Sequence, residues 1–282
     1  MRDRSRAPLR DRSRTPVRGL FVTGTGTGVG KTVVSAALLA AMRAAGEQVR
    51  AHKPVVTGLE ESDKHVEPAI DSSGITHDPS ESDDANTHDG PGGWPPDHEL
   101  LASVAGMAPE EVAPLRYGPA VSPHLAARLA GDEIVPDEVI ARARAAGAQV
   151  DAPGRAGGRG ALIVEGVGGL LVPLTDDFTV RDLAAALGLP VLIAAAPGLG
   201  TINHTLLTLQ AARAAGLDVR AVVLTPWPGA PDDPPGELER SNRETIARLG
   251  EVEVACLGRV QSPDSAELAR AGEALSWQKW CN

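Results

Sequence analysis

Short apolar runs and longer Ala- and Leu-rich runs take turns along this chain from residue 19 onward. Residues 19–23 (Gly-Leu-Phe-Val-Thr), 49–54, 161–164, 190–195 and 219–224 are compact runs of strand length. Between them, apolar positions spread to helical spacing at residues 33–45, 97–105, 134–146, 180–187, 201–215 and 242–249. Gly46 is placed to end the first of these helices, and Asp97 to N-cap the second. The strand runs are apolar throughout rather than alternating, which is the pattern of strands covered on both faces. Strands alternating with helices predict an α/β domain with a mostly parallel sheet and helices on both faces, three layers in all.

Two stretches break this rhythm. Residues 1–18 hold seven Arg and two Asp in a near-repeat, Arg-Asp-Arg-Ser-Arg-Ala-Pro-Leu then Arg-Asp-Arg-Ser-Arg-Thr-Pro-Val. With no core-forming periodicity they are expected to be a disordered basic tail. Their Arg and Ser content is also that of a mitochondrial presequence, but the Asp and Pro residues oppose the amphipathic helix it requires. Residues 60–99 hold twelve acidic residues, one Lys and four of the seven His (His65, His77, His88 and His98). Rich in Ser, Gly and Pro as well, the segment predicts an acidic, irregular, solvated insertion at about 60–96. The histidine spacings of 12, 11 and 10 fit no ligand pair on one helix or in one turn, which favours a solvated loop over a metal site. Residues 19–282 are expected to form a single domain around this insertion.

Charge and composition narrow the function classes. Lys plus Arg number 27 against 37 Asp plus Glu, a formal charge of −10. That balance disfavours nucleic acid or an anionic membrane as partner. No apolar run approaches the roughly 20 residues of a membrane span. The charged start is not a secretory signal. Cys256 and Cys281 are the two cysteines and are far apart, so neither a metal spacing nor a disulfide framework follows, and the reducing cytoplasm fits best.

The chemistry begins at residues 24–32, Gly-Thr-Gly-Thr-Gly-Val-Gly-Lys-Thr, between the first strand and the first helix. Glycines there let successive backbone N–H groups turn inward as an anion nest, and the helix N-terminus adds its positive end. Lys31 is placed to bridge the β- and γ-phosphates of a nucleoside triphosphate, and the Thr32 hydroxyl to ligate Mg2+. The commonest spacing puts a glycine at residue 25, where Thr stands, and this loop carries Gly24 instead. The fold class is therefore a P-loop NTPase type. Lys53 closes the second strand run, a place where ligands of such sheets bind, and a cation there can stabilise charge near the γ-phosphate; the alternative is an exposed loop lysine. Glu165 ends a buried strand run and suits a magnesium ligand, direct or through water; the alternative is a capping or solvated carboxylate.

The motifs at residues 24–32, His52-Lys53-Pro54-Val55-Val56-Thr57-Gly58, Ser122-Pro123-His124, residues 164–169 and Leu199-Gly200-Thr201-Ile202-Asn203-His204 occur together and in this order. In that combination the chain resembles the ATP-dependent dethiobiotin synthetases from residue 19 to about residue 260. The resemblance implies an ATP- and Mg2+-dependent ligase that closes the ureido ring of dethiobiotin from 7,8-diaminopelargonate and CO2. An amine captures CO2 as a carbamate, the carbamate attacks the γ-phosphate, and the neighbouring amine then expels phosphate. An anionic nucleophile needs no strong base, only cations that hold two anions in line.

Carried over residue by residue, Lys53, Lys31 and Thr27 resemble the catalytic contacts. Gly28, Val29, Gly30, Lys31, Thr32, Val33, Glu165, Gly166, Val167, Gly168, Thr225 and Pro226 resemble the nucleotide contacts. Thr57, Ser122, Gly200, Thr201, Ile202 and Asn203 resemble the substrate contacts, the last four at a turn and helix start that binds the substrate carboxylate across a homodimer interface. Thr32, Asp97 and Glu165 resemble the metal ligands, with Asp83 and Asp84 as alternatives to Asp97. Members of the family often carry acidic residues where Gly26 and Gly28 stand. Members that select adenine carry Asn-Asp where this chain has Thr225-Pro226-Trp227-Pro228, and proline has no N–H to offer a base, so weaker discrimination among nucleotides is expected. Within the fold, the rivals are partition-type ATPases and cobyrinate-amidating synthetases; outside enzymes, a nucleotide-binding regulatory module without turnover.

Overall fold

The computed structural model describes residues 18–59, 93–150, 160–229 and 234–281. The first half runs β1 (Gly19–Gly24), α1 (Lys31–Ala44), β2 (Gln48–His52), β3 (Val55–Val56), α2 (Asp97–Ala105), α3 (Pro109–Val112), β4 (Leu115–Arg116), α4 (Pro123–Leu129) and α5 (Pro136–Ala148). The second half runs β5 (Gly160–Glu165), α6 (Val180–Leu187), β6 (Val191–Ala195), α7 (Thr201–Ala214), β7 (Val219–Trp227), α8 (Glu237–Gly250), β8 (Glu253–Gly258), α9 (Ser265–Glu273) and α10 (Trp277–Trp280).

Six strands form one sheet in the order β2-β5-β1-β6-β7-β8, with every pairing parallel. A short parallel pair, β3 with β4, stands apart from it. Along a strand, successive side chains go to opposite faces. Leu20 and Val22 accordingly join one core layer with α1, α2, α9 and α10, while Phe21 joins the other with α4 to α8. The three-layer parallel architecture expected from the sequence is the one observed. β1 lies inside the sheet, so the glycine loop leaves its carboxyl end with β5 on one side and β6 on the other. Among the described residues no helix is long and apolar enough to cross a membrane.

Several expectations are corrected. Asp97 is not an N-cap: Pro96 takes that position and Asp97 is the first residue of α2, its carboxylate engaged elsewhere. The helix expected at 242–249 starts at Glu237, because Asn242, Ile246 and Gly250 form its buried stripe while the preceding turn is exposed. The strand expected to end at 224 continues to Trp227. Nothing in the apolar pattern announced β8, α9 or α10, yet Leu257, Leu268, Trp277 and Trp280 are core residues. The tail at 1–17, the insertion from 60 to 92 with Asp83 and Asp84, and His65, His77 and His88 lie outside the described residues.

Candidate functional site

Two glycines shape the phosphate loop. Gly28 and Gly30 have φ of 74° and 82°, a left-handed conformation in which a side chain is strained. A Cβ on Gly30 would also lie 2.6 Å from the Thr225 Cγ2, so Thr225 presses directly on the loop. The glycine at 24 rather than 25 has a physical reason: a Cβ there would stand 2.7 Å from the Val29 Cγ2 and 3.1 Å from the Lys31 stem, which both cross over it. Thr25 is anchored through its N–H to the Ala194 carbonyl of β6 at 3.0 Å. Lys31, buried, donates to the Gly26 carbonyl at 2.7 Å, which folds its ammonium back over the nest. Burial first, then the charge of Lys53, pushes the Lys31 pKa down to about 8, which leaves it mostly protonated at neutral pH.

Lys53, just past β2, is the centre of the charged cluster. Its ammonium donates to Asp97 Oδ2 at 2.5 Å and to Glu165 Oε1 at 2.6 Å. The Thr32 hydroxyl donates to the same Glu165 Oε1 at 2.9 Å. Burial alone would lower the Lys53 pKa, but the charges of Asp97 and Glu165 and their hydrogen bonds outweigh it and raise it above the ordinary lysine range. Lys53 and Glu165 are 4% and 0% exposed, so this is an interior ion cluster and not a solvated surface pair. The three residues reach it from β2, α2 and β5, and Thr32 from α1.

The cluster also fits a metal. Glu165 Oε2 is buried without a hydrogen-bond partner. Together with Asp97 and the Thr32 hydroxyl it offers hard oxygen donors beside the phosphate nest, the kind of set that holds Mg2+ along with phosphate oxygens and waters. Among the described residues no group of three or more His, Cys, Asp or Glu side chains could hold a metal ion, so the donor set is two carboxylates and a hydroxyl.

The remaining expected residues fall around the same carboxyl edge. The segment after Glu165 leans on the loop: a Cβ on Gly168 would be 3.7 Å from the Thr27 hydroxyl, and one on Gly169 3.5 Å from the Gly24 carbonyl. Gly166 and Val167 lie between, and Val29 and Val33 are half-buried against the α1 core layer. Thr57 and Ser122 are on adjoining chain segments, since the Gly58 N–H donates to the Pro119 carbonyl at 3.1 Å. Gly200, left-handed with φ 86°, turns the chain into α7, whose first residues are Thr201, Ile202 and Asn203. That turn follows β6, two strands along the sheet from β5 and Glu165. Thr225 is buried and Pro226 exposed at the end of β7, two strands beyond β1.

Asn242 was missed by the sequence reading. Its amide donates to the Pro197 carbonyl at 2.9 Å and the Gly198 carbonyl at 3.1 Å, bracing the turn before α7. The available signal was an Asn in register with Ile246 and Gly250 on the buried stripe of α8.

His52, beside Lys53, is 2% exposed and neither ring nitrogen has a hydrogen-bond partner. Burial first, then Arg142 and Arg50, pushes its pKa from 6.5 down to about 4. The folded value lies below the unfolded one, so the unfolded chain binds the extra proton in acid. The stabilisation from keeping His52 neutral is whole above pH 6.5 and is lost as pH falls toward 4, by at most about 3 kcal/mol. His52→Leu is therefore expected to lose less stability than wild type between pH 7 and about 4.5. Urea titrations at the two pH values read the difference; parallel losses would mean that His52 does not contribute.

A glycine nest closing on a helix N-terminus, at the carboxyl edge of an all-parallel sheet, defines a P-loop NTPase. A family model described as an AAA domain matches residues 18–87 and 95–267. Among curated relatives, the ATP-dependent dethiobiotin synthetase BioD of Anaeromyxobacter sp. (strain K) is 42% identical over 240 residues, 83% of this chain and 90% of that protein. The protein of the same name from Anaeromyxobacter dehalogenans (strain 2CP-1 / ATCC BAA-258) is 41% identical over 256 residues, 90% of this chain and 95% of its own. That of Mycobacterium sp. (strain KMS) is 37% identical over 268 residues, 93% and 96% of the two chains. The chain belongs to the ATP-dependent dethiobiotin synthetase family.

Proposed function

We propose that this protein is an ATP- and Mg2+-dependent dethiobiotin synthetase, converting 7,8-diaminopelargonate, CO2 and ATP into dethiobiotin, ADP and phosphate. The observation that carries the reading is the buried cluster of Lys53, Asp97, Glu165 and Thr32 at the mouth of the phosphate loop. A carbamate attacking a γ-phosphate brings two anions together, and the residues answer that problem. The loop amides and Lys31 hold the phosphates. Lys53 neutralises charge between nucleophile and γ-phosphate. Thr32, Asp97 and Glu165 would hold Mg2+, which when bound neutralises the transferred phosphoryl group. Thr27 contacts phosphate and carbamate, Thr57 and Ser122 contact the diamine, and the Gly200–Asn203 helix start binds its carboxylate, to which its positive end is suited.

Two supporting features bear on assembly and setting. Leu199 is 94% exposed beside the proposed carboxylate site, and Leu207 is exposed on the same helix, which favours a homodimer joined there. Sedimentation showing monomer alone would remove that element. Both cysteines are free, as suits the cytoplasm.

The test is turnover with the purified protein, diaminopelargonate, bicarbonate and Mg-ATP. Dethiobiotin is read by mass spectrometry and phosphate release in the same sample. Nucleotide binding without dethiobiotin would leave a regulatory nucleotide-binding module. The same assay reads base selection: Thr225-Pro226 in place of an amide-bearing side chain predicts that other triphosphates compete with ATP within about tenfold, since one missing base-reading hydrogen bond is worth roughly 1.4 kcal/mol. Strict ATP preference would contradict it.

A further inference from the structure

We infer that Lys53 is the built-in counter-cation of the Asp97–Glu165 pair in the nucleotide-free protein, so that metal entry and release of the Lys53 ammonium toward the reacting anions are one exchange. This rests on the magnesium reading above and adds to it an order of events. The Lys53 ammonium lies 2.5 Å from Asp97 Oδ2 and 2.6 Å from Glu165 Oε1, and both carboxylates are proposed metal ligands. The hydroxyl of the third, Thr32, donates to that same Glu165 oxygen. An ammonium and a divalent cation thus need the same carboxylate lone pairs.

Both cannot use them together at low cost. Glu165 is fully buried and Lys53 nearly so, and like charges brought onto shared oxygens in the interior repel strongly. Lys53 must therefore leave the carboxylates when a divalent cation arrives. In the nucleotide-free protein it has no anion to move to: Lys31 is the neighbouring cation and already lowers the benefit of any shift toward the loop. Lys31, Lys53, Asp97 and Glu165 sum to no net formal charge, so the resting cluster is balanced without metal. A bound triphosphate changes this. It supplies anionic oxygens that can take the ammonium as the metal takes the carboxylates. Free metal consequently binds poorly, metal and nucleotide bind together, and Lys53 is delivered, charged, to the side where the nucleophile and γ-phosphate meet.

The experiment measures Mn2+ binding by electron paramagnetic resonance in nucleotide-free protein, with thermal unfolding in EDTA and in Mg2+. Lys53→Met is expected to bind Mn2+ at least about tenfold more tightly than wild type, because the competing cation is gone. It should melt lower than wild type in EDTA and gain more from Mg2+, and its affinity advantage should shrink when a non-hydrolysable ATP analogue is present. Lys53→Gln, which keeps a donor but no charge, should behave alike. Folded variants with Mn2+ affinity equal to or below wild type would overturn the inference. If Lys53→Met folds only with Mg2+ present, the exchange is supported; if both variants fail to fold even with Mg2+, the metal cannot replace the ammonium and the inference is overturned. The magnesium reading fails separately, if Glu165→Gln leaves Mn2+ affinity of the nucleotide complex unchanged.

Discussion

Lys53→Ala is expected to lower dethiobiotin formation by at least about 10^3-fold while nucleotide affinity changes by less than about fivefold. The split follows from geometry. Lys53 holds the two carboxylates from a position beyond the strand end, whereas the phosphates are cradled by loop amides and Lys31, which do not depend on it. A fully buried Glu165 left without its cation also makes the metal-free variant less stable, by about 3–5 kcal/mol as for other broken interior pairs. Nucleotide affinity must therefore be measured by calorimetry with Mg2+ present, alongside steady-state phosphate release. Turnover within tenfold of wild type would remove Lys53 from the chemistry.

Gly272→Ala is expected to destabilise the fold by about 2–3 kcal/mol, although alanine in an isolated helix would gain about 1 kcal/mol over glycine. Gly272 lies in α9 where that helix crosses α1, and an added Cβ would stand 2.1 Å from the Ala37 carbonyl oxygen and 2.7 Å from its carbon. Those atoms are helix backbone and cannot rotate away, so one helix must move. α1 begins with Lys31 and Thr32, so the displacement also reaches the phosphate site. Urea unfolding reads the sign directly. A variant as stable as wild type would mean that the two helices do not pack this closely.

Much of the site was legible in sequence because its chemistry is local. The glycine nest, Lys31 and Thr32 are contiguous, and a strand–loop–helix pattern is enough to aim them. Lys53 and Glu165 each follow a buried strand, and in a parallel sheet all strand ends open on one edge. Asp97 could be picked from the start of an apolar helix, but its work could not: capping is local, while its bond to Lys53 spans 44 residues. The same limit hid Asn242, whose polar side chain on a buried stripe makes sense only once the 197–198 turn is seen against it.

By itself, then, the sequence determined the layer architecture, the phosphate nest and the identities of the charged residues, because periodicity, glycine and strand ends act over a few residues. Only the tertiary structure decided that Lys53 lies between Asp97 and Glu165, that Thr225 presses on Gly30, that Gly272 sets the approach of α9 to α1, and that the C-terminal tryptophans complete the core. Those are contacts between segments far apart in the chain, chosen by how the layers close and by which buried charge finds its counter-charge.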